Sequence, residues 1–134
     1  MHQSKAVFRV LFLGLMAILL AACSGGSPES TVENFYKAAA KGDVDKAIEL
    51  ISFADVGANE MVQAKGKVQM IVGQLQARIQ ANDGLDSVEV LSSTVNEEGT
   101  QAVLNNRLNY KNGKSQEDRV RLVKEKGDWK ISLK

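Results

Sequence analysis

In 134 residues the chain has one proline, one cysteine, one histidine and one tryptophan, and aromatic residues make up only 5% of it. Each scarcity excludes something. A single cysteine cannot close an intramolecular disulfide, so the fold has to stand on its apolar core. One proline and 11 glycines in no repeating pattern leave no low-complexity linker and no collagen-like repeat. Charge of one sign is lacking as well: the formal net charge is +1, and no global field argues for a nucleic-acid partner. The remainder is ordinary for one globular domain, with 44% hydrophobic and 25% charged residues.

The one long hydrophobic run is N-terminal. Lys5 and Arg9 precede thirteen uncharged residues, Val10 to Ala22, the pattern of a cationic start and apolar middle in an export signal. As a helix this run would extend about 20 Å, short of a hydrocarbon core of about 30 Å. It closes on Leu20-Ala21-Ala22-Cys23, which resembles the bacterial lipobox. That resemblance implies a diacylglyceryl group on the Cys23 sulfur, cleavage before Cys23 and acylation of the new amine. The plan is then a signal peptide over 1–22, the lipidated cysteine and a short tether over 23–27, and one domain over 28–134. Burial of about 0.8 kcal/mol per methylene lets two or more acyl chains anchor stably without a protein helix. Ser24, where aspartate commonly signals inner-membrane retention, implies by the same resemblance an outer-membrane address facing the periplasm. Ser24 to Ser27 reaches about 12 Å, so the domain would work beside the bilayer.

His2 leaves with the signal segment, so the remaining chain has no histidine. Ser-His-Asp and Cys-His catalysis and histidine-ligated zinc are thereby excluded, and thiolate zinc sites go with the committed Cys23. Asp43-x-Asp45 and Asp83-x-x-Asp86 lack the glycine and distant glutamate of a calcium loop and suit capping and turn roles better. No cofactor and no metal are expected.

Ser27-Pro28 opens a first helix, and Ser30 with Glu33 offers a second, capping-box start. Val32, Phe35, Tyr36 and Ala39 form its apolar stripe, and Lys41-Gly42-Asp43 ends it and caps the next. Val44, Ala47, Ile48 and Ile51 make a second stripe. Asn59 caps a third, longer helix whose stripe runs from Met61 through Ala64, Val68, Ile71, Val72, Leu75 and Ile79 to a stop at Asn82-Asp83-Gly84. Gly66 and Gly73 lie inside it and weaken it.

From Leu85 the pattern becomes four antiparallel strands in a meander. A three-residue loop, Lys111 to Gly113, pairs Leu104 with Val120, Ala102 with Leu122 and Arg107 with Glu117, giving one apolar face. A two-residue Gly127-Asp128 turn sets Leu122 opposite Leu133 and Glu125 opposite Lys130, with Trp129 and Ile131 on the apolar face. In the first strand Val88 and Val90 compete with Leu91 and Val95 for the inside.

Two stretches, SPESTVENFYKAAAKGDVDKAIELIS and KGDWKISL, resemble a family of short bacterial lipoproteins of unknown function. That family is similar to the nuclear transport factor 2-like (NTF2-like), or cystatin-like, superfamily. The resemblance implies an α+β fold over residues 28–134, with N-terminal helices packed on a curved four-stranded antiparallel sheet that forms a cone. Its motifs carry packing rather than chemistry.

Such a cone implies a pocket between helix three and the sheet, with Phe35, Tyr36, Ile71, Leu75, Leu104, Leu108, Val120, Leu122 and Trp129 as its candidate lining. The same residues would equally fill a close-packed core. The superfamily includes ketosteroid isomerases, which pair an aspartate base with a tyrosine and a protonated aspartate. Tyr36, Tyr110 and Asp55 supply those residue types. Arg107 to Lys134 holds nine basic and four acidic residues against five acidic and no basic ones from Asn82 to Glu98, which makes Arg107, Arg119 and Arg121 a candidate surface for an anionic partner. The expectation is an outer-membrane-anchored periplasmic lipoprotein acting as a non-enzymatic binding or interaction module. Its partners would be the membrane, through the lipidated N-terminus, and an envelope protein or a small apolar ligand. An isomerase-like enzyme or an apolar-ligand carrier is the alternative.

Overall fold

The computed structural model of the chain describes residues 26–133, so the signal segment and Cys23 lie outside the described residues. Among the described residues three α-helices precede four strands. Helix α1 is Pro28–Lys41. Ser27 Oγ accepts from the Ser30 N–H at 3.1 Å and Ser30 Oγ accepts from the Ser27 N–H at 3.1 Å, so the reciprocal box forms between two serines rather than at Ser30 and Glu33. Gly42 ends the helix at φ 71, the left-handed region that glycine enters without a Cβ clash. Asp43 Oδ1 then accepts from the Lys46 N–H at 3.2 Å and starts α2, Val44–Glu49.

Helix α2 is shorter than its apolar stripe suggests, because Ile51 is not on it. The chain straightens after Glu49, and Ile51 forms a parallel bridge with Ile131, fixed by Ile131 N–H to the Leu50 carbonyl (2.8 Å) and Ser52 N–H to the Ile131 carbonyl (2.7 Å). A short 3₁₀ turn, Ala58–Glu60, leads into α3, Met61–Ala81. Asn59 lies inside that turn and so cannot cap α3, and Glu60 at the cap position makes no side-chain bond. The buried stripe of α3 is Val68, Val72, Leu75 and Ile79.

Strands β1 (Leu85–Val95), β2 (Gln101–Tyr110), β3 (Ser115–Glu125) and β4 (Asp128–Ile131) follow as an antiparallel meander in the order β1-β2-β3-β4. The β2–β3 register is the one expected, with Leu104 opposite Val120, Ala102 opposite Leu122 and Arg107 opposite Glu117. The last hairpin differs. Its turn is Lys126-Gly127, both at positive φ (50 and 87), so Glu125 meets Asp128 and Leu122 meets Ile131 instead of Leu133. Two successive left-handed residues match the right-handed twist of the strands, and glycine takes the second position better than aspartate would. The slip is two residues, so every side chain keeps its face.

The conflict in β1 is resolved by a bulge. Val88 faces Leu108 and Val90 faces Asn106, but after a register shift at Leu91 it is Ser93 that faces Leu104 and Val95 that faces Ala102. Val88, Val90 and Val95 therefore point to the same side, because one extra residue, Leu91, reverses the alternation. The side they share holds the core: Ala102, Leu104, Leu108, Tyr110, Leu122, Trp129 and Ile131 from the sheet, closed by Val32, Phe35, Tyr36 and Ala39 of α1.

Helix α1 lies across this inner face against β1, β2 and β4, whereas α3 packs chiefly on α1 and α2 and stands off from the strands. That offset shapes the site described below. It also leaves the outer side of α3 bare. A Cβ added at Gly66 or Gly73 would meet nothing within 4 Å. Gly66→Ala and Gly73→Ala are each expected to stabilise the domain by about 1 kcal/mol, and together by about 2, read as a rise in the urea midpoint at constant slope.

Candidate functional site

Because α3 stands off, a cleft of about 460 Å³ opens between it and β3. Phe35 and Tyr36 come from α1, Val68, Ile71, Gln74, Leu75 and Arg78 from successive turns of α3, and Gln116 and Asp118 to Arg121 from β3. Ile51, Ile131, Ser132 and Leu133 complete the lining. The spacing of 68, 71, 75 and 78 is one helical face, and Gln116, Asp118 and Val120 share the inner face of β3 with Leu122. An apolar floor with a few polar groups is the usual constitution of a binding cleft.

The polar centre is a tyrosine on a carboxylate. Tyr36, buried on α1, donates its hydroxyl to Asp118 Oδ2 at 2.5 Å, and Asp118 Oδ1 accepts from the Arg119 N–H at 3.0 Å. Burial, then the hydrogen bond and charge of Asp118, raise the Tyr36 phenol well above the ordinary range, while Arg78 acts the other way. Tyr36 is thus a fixed donor whose proton is already engaged. Tyr110 donates to Gln116 Oε1 at 3.3 Å. Asn106, opposite Asp118 in register, is fully buried; its amide reaches only the Leu104 carbonyl at 3.4 Å, and its Oδ1 has no hydrogen-bond partner.

No curated protein matches the chain. Residues 21–132 match the family described as Domain of unknown function (DUF4878). The chain belongs to the DUF4878 family. Among solved structures it is similar to a Campylobacter jejuni protein provisionally named an NTF2-like transpeptidase, at 22% identity and a TM-score of 0.75, over 81% of this chain and 100% of that one. It is also similar to a Methylobium petroleophilum PM1 protein of unknown function with a cystatin-like fold, at 11% identity and a TM-score of 0.49, over 78% of this chain and 72% of that one. The fold of this DUF4878 member is NTF2-like, as the sequence resemblance implied.

Of the nine residues expected to line a pocket in this DUF4878 chain, Phe35, Tyr36, Ile71, Leu75 and Val120 line the cleft. Leu104, Leu108, Leu122 and Trp129 do not; they are buried in the core, because α1 rather than α3 covers the middle of the sheet. Trp129 faces α1, its carbonyl accepting from Thr31 Oγ1 at 3.2 Å, and Lys124 Nζ sits 5.6 Å from its ring. Tyr36, Tyr110 and Asp55 do not converge on one cavity: Asp55 borders a separate groove with Gln101, Val103 and Arg121. Arg107 is bracketed in register by Glu89 and Glu117, which leaves Arg119 and Arg121, both also at the cleft, as the exposed cationic pair. Of the polar lining, Gln74, Arg78, Gln116 and Asp118 escaped the sequence reading. Arg78 follows Ile71 and Leu75 on the helical face, and Asp118 has the inward parity of Val120, so both were open to detection.

A tyrosine protonated more firmly in the fold than in the unfolded chain binds its proton better when folded. Its contribution is intact below the unfolded phenol value, near 10, and lost as pH rises beyond it. Alkaline unfolding is expected to set in near pH 10 and to be delayed in Tyr36→Phe, with circular dichroism against pH as the measurement.

Proposed function

We propose that this protein is a lipid-anchored module of the bacterial envelope, held by Cys23 at the outer membrane and facing the periplasm, that binds a partner or ligand in the α3–β3 cleft without catalysing a reaction. The observation that carries the binding role is the cleft, an apolar trough beside a buried tyrosine that fixes one carboxylate. The address rests on the Lys5/Arg9 start, the uncharged run and Leu20-Ala21-Ala22-Cys23. The family match begins at residue 21, so Cys23 falls inside the matched region.

The isomerase-like alternative has less support. Tyr36 spends its proton on Asp118, an exposed carboxylate, so the pair offers neither a free oxyanion donor nor a desolvated base. The transpeptidase name of the Campylobacter relative belongs to that protein. A cysteine–histidine acyl-transfer centre needs a histidine, and none follows His2 here.

Two measurements test the reading. The protein isolated from its host is expected to exceed its processed polypeptide mass by its acyl groups, and Cys23→Ser to leave the membrane fraction; an unmodified mass or unchanged membrane retention overturns the anchor. Binding is tested with the fluorescent probe 8-anilinonaphthalene-1-sulfonate on the full chain. Ile71→Glu, at a half-buried cleft position, is expected to abolish most of the probe's enhancement, and an unchanged signal removes the cleft as the site.

A further inference from the structure

The cleft is graded along its length. Helix α3 and strand β3 run in opposite directions beside it. Asn112 Nδ2, in the hairpin that opens β3, donates to Asn82 Oδ1 just past the end of α3 at 2.9 Å, while Met61 and Lys65 share a groove with Glu125 at the close of β3. Val68 and Ile71 therefore lie toward the Val120 end and Arg78 toward the Gln116 end. Leu133 joins the apolar end, because Leu122 pairs with Ile131 and the Ser132 N–H bonds to the Arg121 carbonyl at 2.8 Å. The other end is polar, with Gln116, the Tyr36–Asp118 pair and Arg78, which acts on the Tyr36 hydroxyl from the α3 side. Val68 to Arg78 spans about 15 Å of helix at about 1.5 Å per residue, and Gln116 to Val120 about 14 Å of strand at about 3.4 Å per residue.

The charge of the lining selects a sign. Its charged residues are Arg78, Asp118, Arg119 and Arg121. Asp118 is engaged at both oxygens, by the Tyr36 hydroxyl and the Arg119 N–H, so a cationic head would meet one spent carboxylate among three arginines. Those arginines enter none of the ion pairs found among the described residues. Arg119 and Arg121 have the parity opposite to Val120 and stand at the rim, which leaves Arg78 as the cation of the α3 wall. A guanidinium is a fork of donors matched to a carboxylate or a phosphate. Toward the other end Val68, Ile71, Val120 and Leu133 offer apolar surface, whose burial favours methylene groups.

We propose that the cleft takes a single alkyl chain with an anionic head, the head on Arg78 and the chain running past Leu75 and Ile71 to Val120 and Leu133. This deepens the cleft-binding reading above and rests on it. A zigzag of C–C bonds of about 1.5 Å advances about 1.3 Å per carbon, so the trough holds about twelve carbons. The test is displacement of the anilinonaphthalene probe from the full chain, with each competitor kept below its micelle-forming concentration. Dodecanoate is expected to displace the probe at concentrations at least tenfold lower than dodecyltrimethylammonium or 1-dodecanol, and at least tenfold lower than octanoate, which buries four methylenes fewer. Lauroyl-lysophosphatidylglycerol carries the same chain on a phosphate: displacement by it alone assigns the site to a phospholipid, and by dodecanoate to a free fatty acid. Arg78→Glu, at an exposed helical position, is expected to weaken the anion at least tenfold and to favour the ammonium. Val120→Trp, at the apolar end, is expected to move the preferred chain toward eight carbons. Equal displacement by anion and ammonium, an unchanged preference in Arg78→Glu, or no dependence on chain length overturns the proposal. In each of those outcomes a probe signal that Ile71→Glu abolishes leaves the cleft reading intact, whereas a signal unchanged by Ile71→Glu removes the two together.

Discussion

Leu104→Ala is expected to lower the stability of the domain by about 3 kcal/mol, the largest loss anticipated for a single substitution here. Leu104 lies in the second strand of a four-stranded sheet, between Ser93 and Val120 in register, with no exposed surface. Its cross-strand neighbours are held by ladder hydrogen bonds on both sides, so they cannot collapse into the space that loss of the side chain leaves, and the cavity cost adds to the transfer cost. At about 4 °C per kcal/mol for a domain of this size, the thermal midpoint falls by about 12 °C. A loss under 1 kcal/mol, measured by urea unfolding at unchanged slope, would show that the inner face of the sheet is not packed as described.

Asn106→Leu is expected to move stability the other way, by about 2 kcal/mol. Asn106 is as inaccessible as Leu104, yet its Oδ1 has no partner and its amide makes one long bond. An unpaired buried acceptor costs about 1–3 kcal/mol, and leucine keeps the branching at Cγ while removing it. Its neighbours in register, Val90 on β1 and Asp118 on β3, are both exposed, so the slightly larger side chain has room to settle. A drop in stability for Asn106→Leu, with Asn106→Ala falling further, would instead place an ordered water on Oδ1.

Much of this architecture was legible in the residues, and the misses have physical causes. Periodicity found three helices and four strands because each has one apolar face. The β2–β3 register followed from a single requirement, that apolar residues share a side, and the three-residue loop alone met it. The last hairpin went wrong by two residues because parity cannot distinguish registers that differ by a whole period; the turn decided, through the positive φ of Lys126 and Gly127. In β1 alternation failed because the bulge at Leu91 makes Val95, which looks opposed to Val88 and Val90 in sequence, point the same way. Ile51 carried the helical spacing of α2 yet serves as a rung beside Ile131, a tertiary pairing that overrides a short stripe.

By itself the sequence determined the order and kind of the elements, the inner face of the sheet and the register of its central pair, since local turn chemistry and side-chain alternation are written in neighbouring residues. Only the tertiary structure decided that α1 and not α3 fills the middle of the sheet, that Tyr36 meets Asp118 across 82 positions of chain, and that a cleft opens between α3 and β3. Those are facts about how far apart rigid elements stand. Apolar burial is non-directional, and a stripe of apolar residues states that a surface will be covered without stating by what.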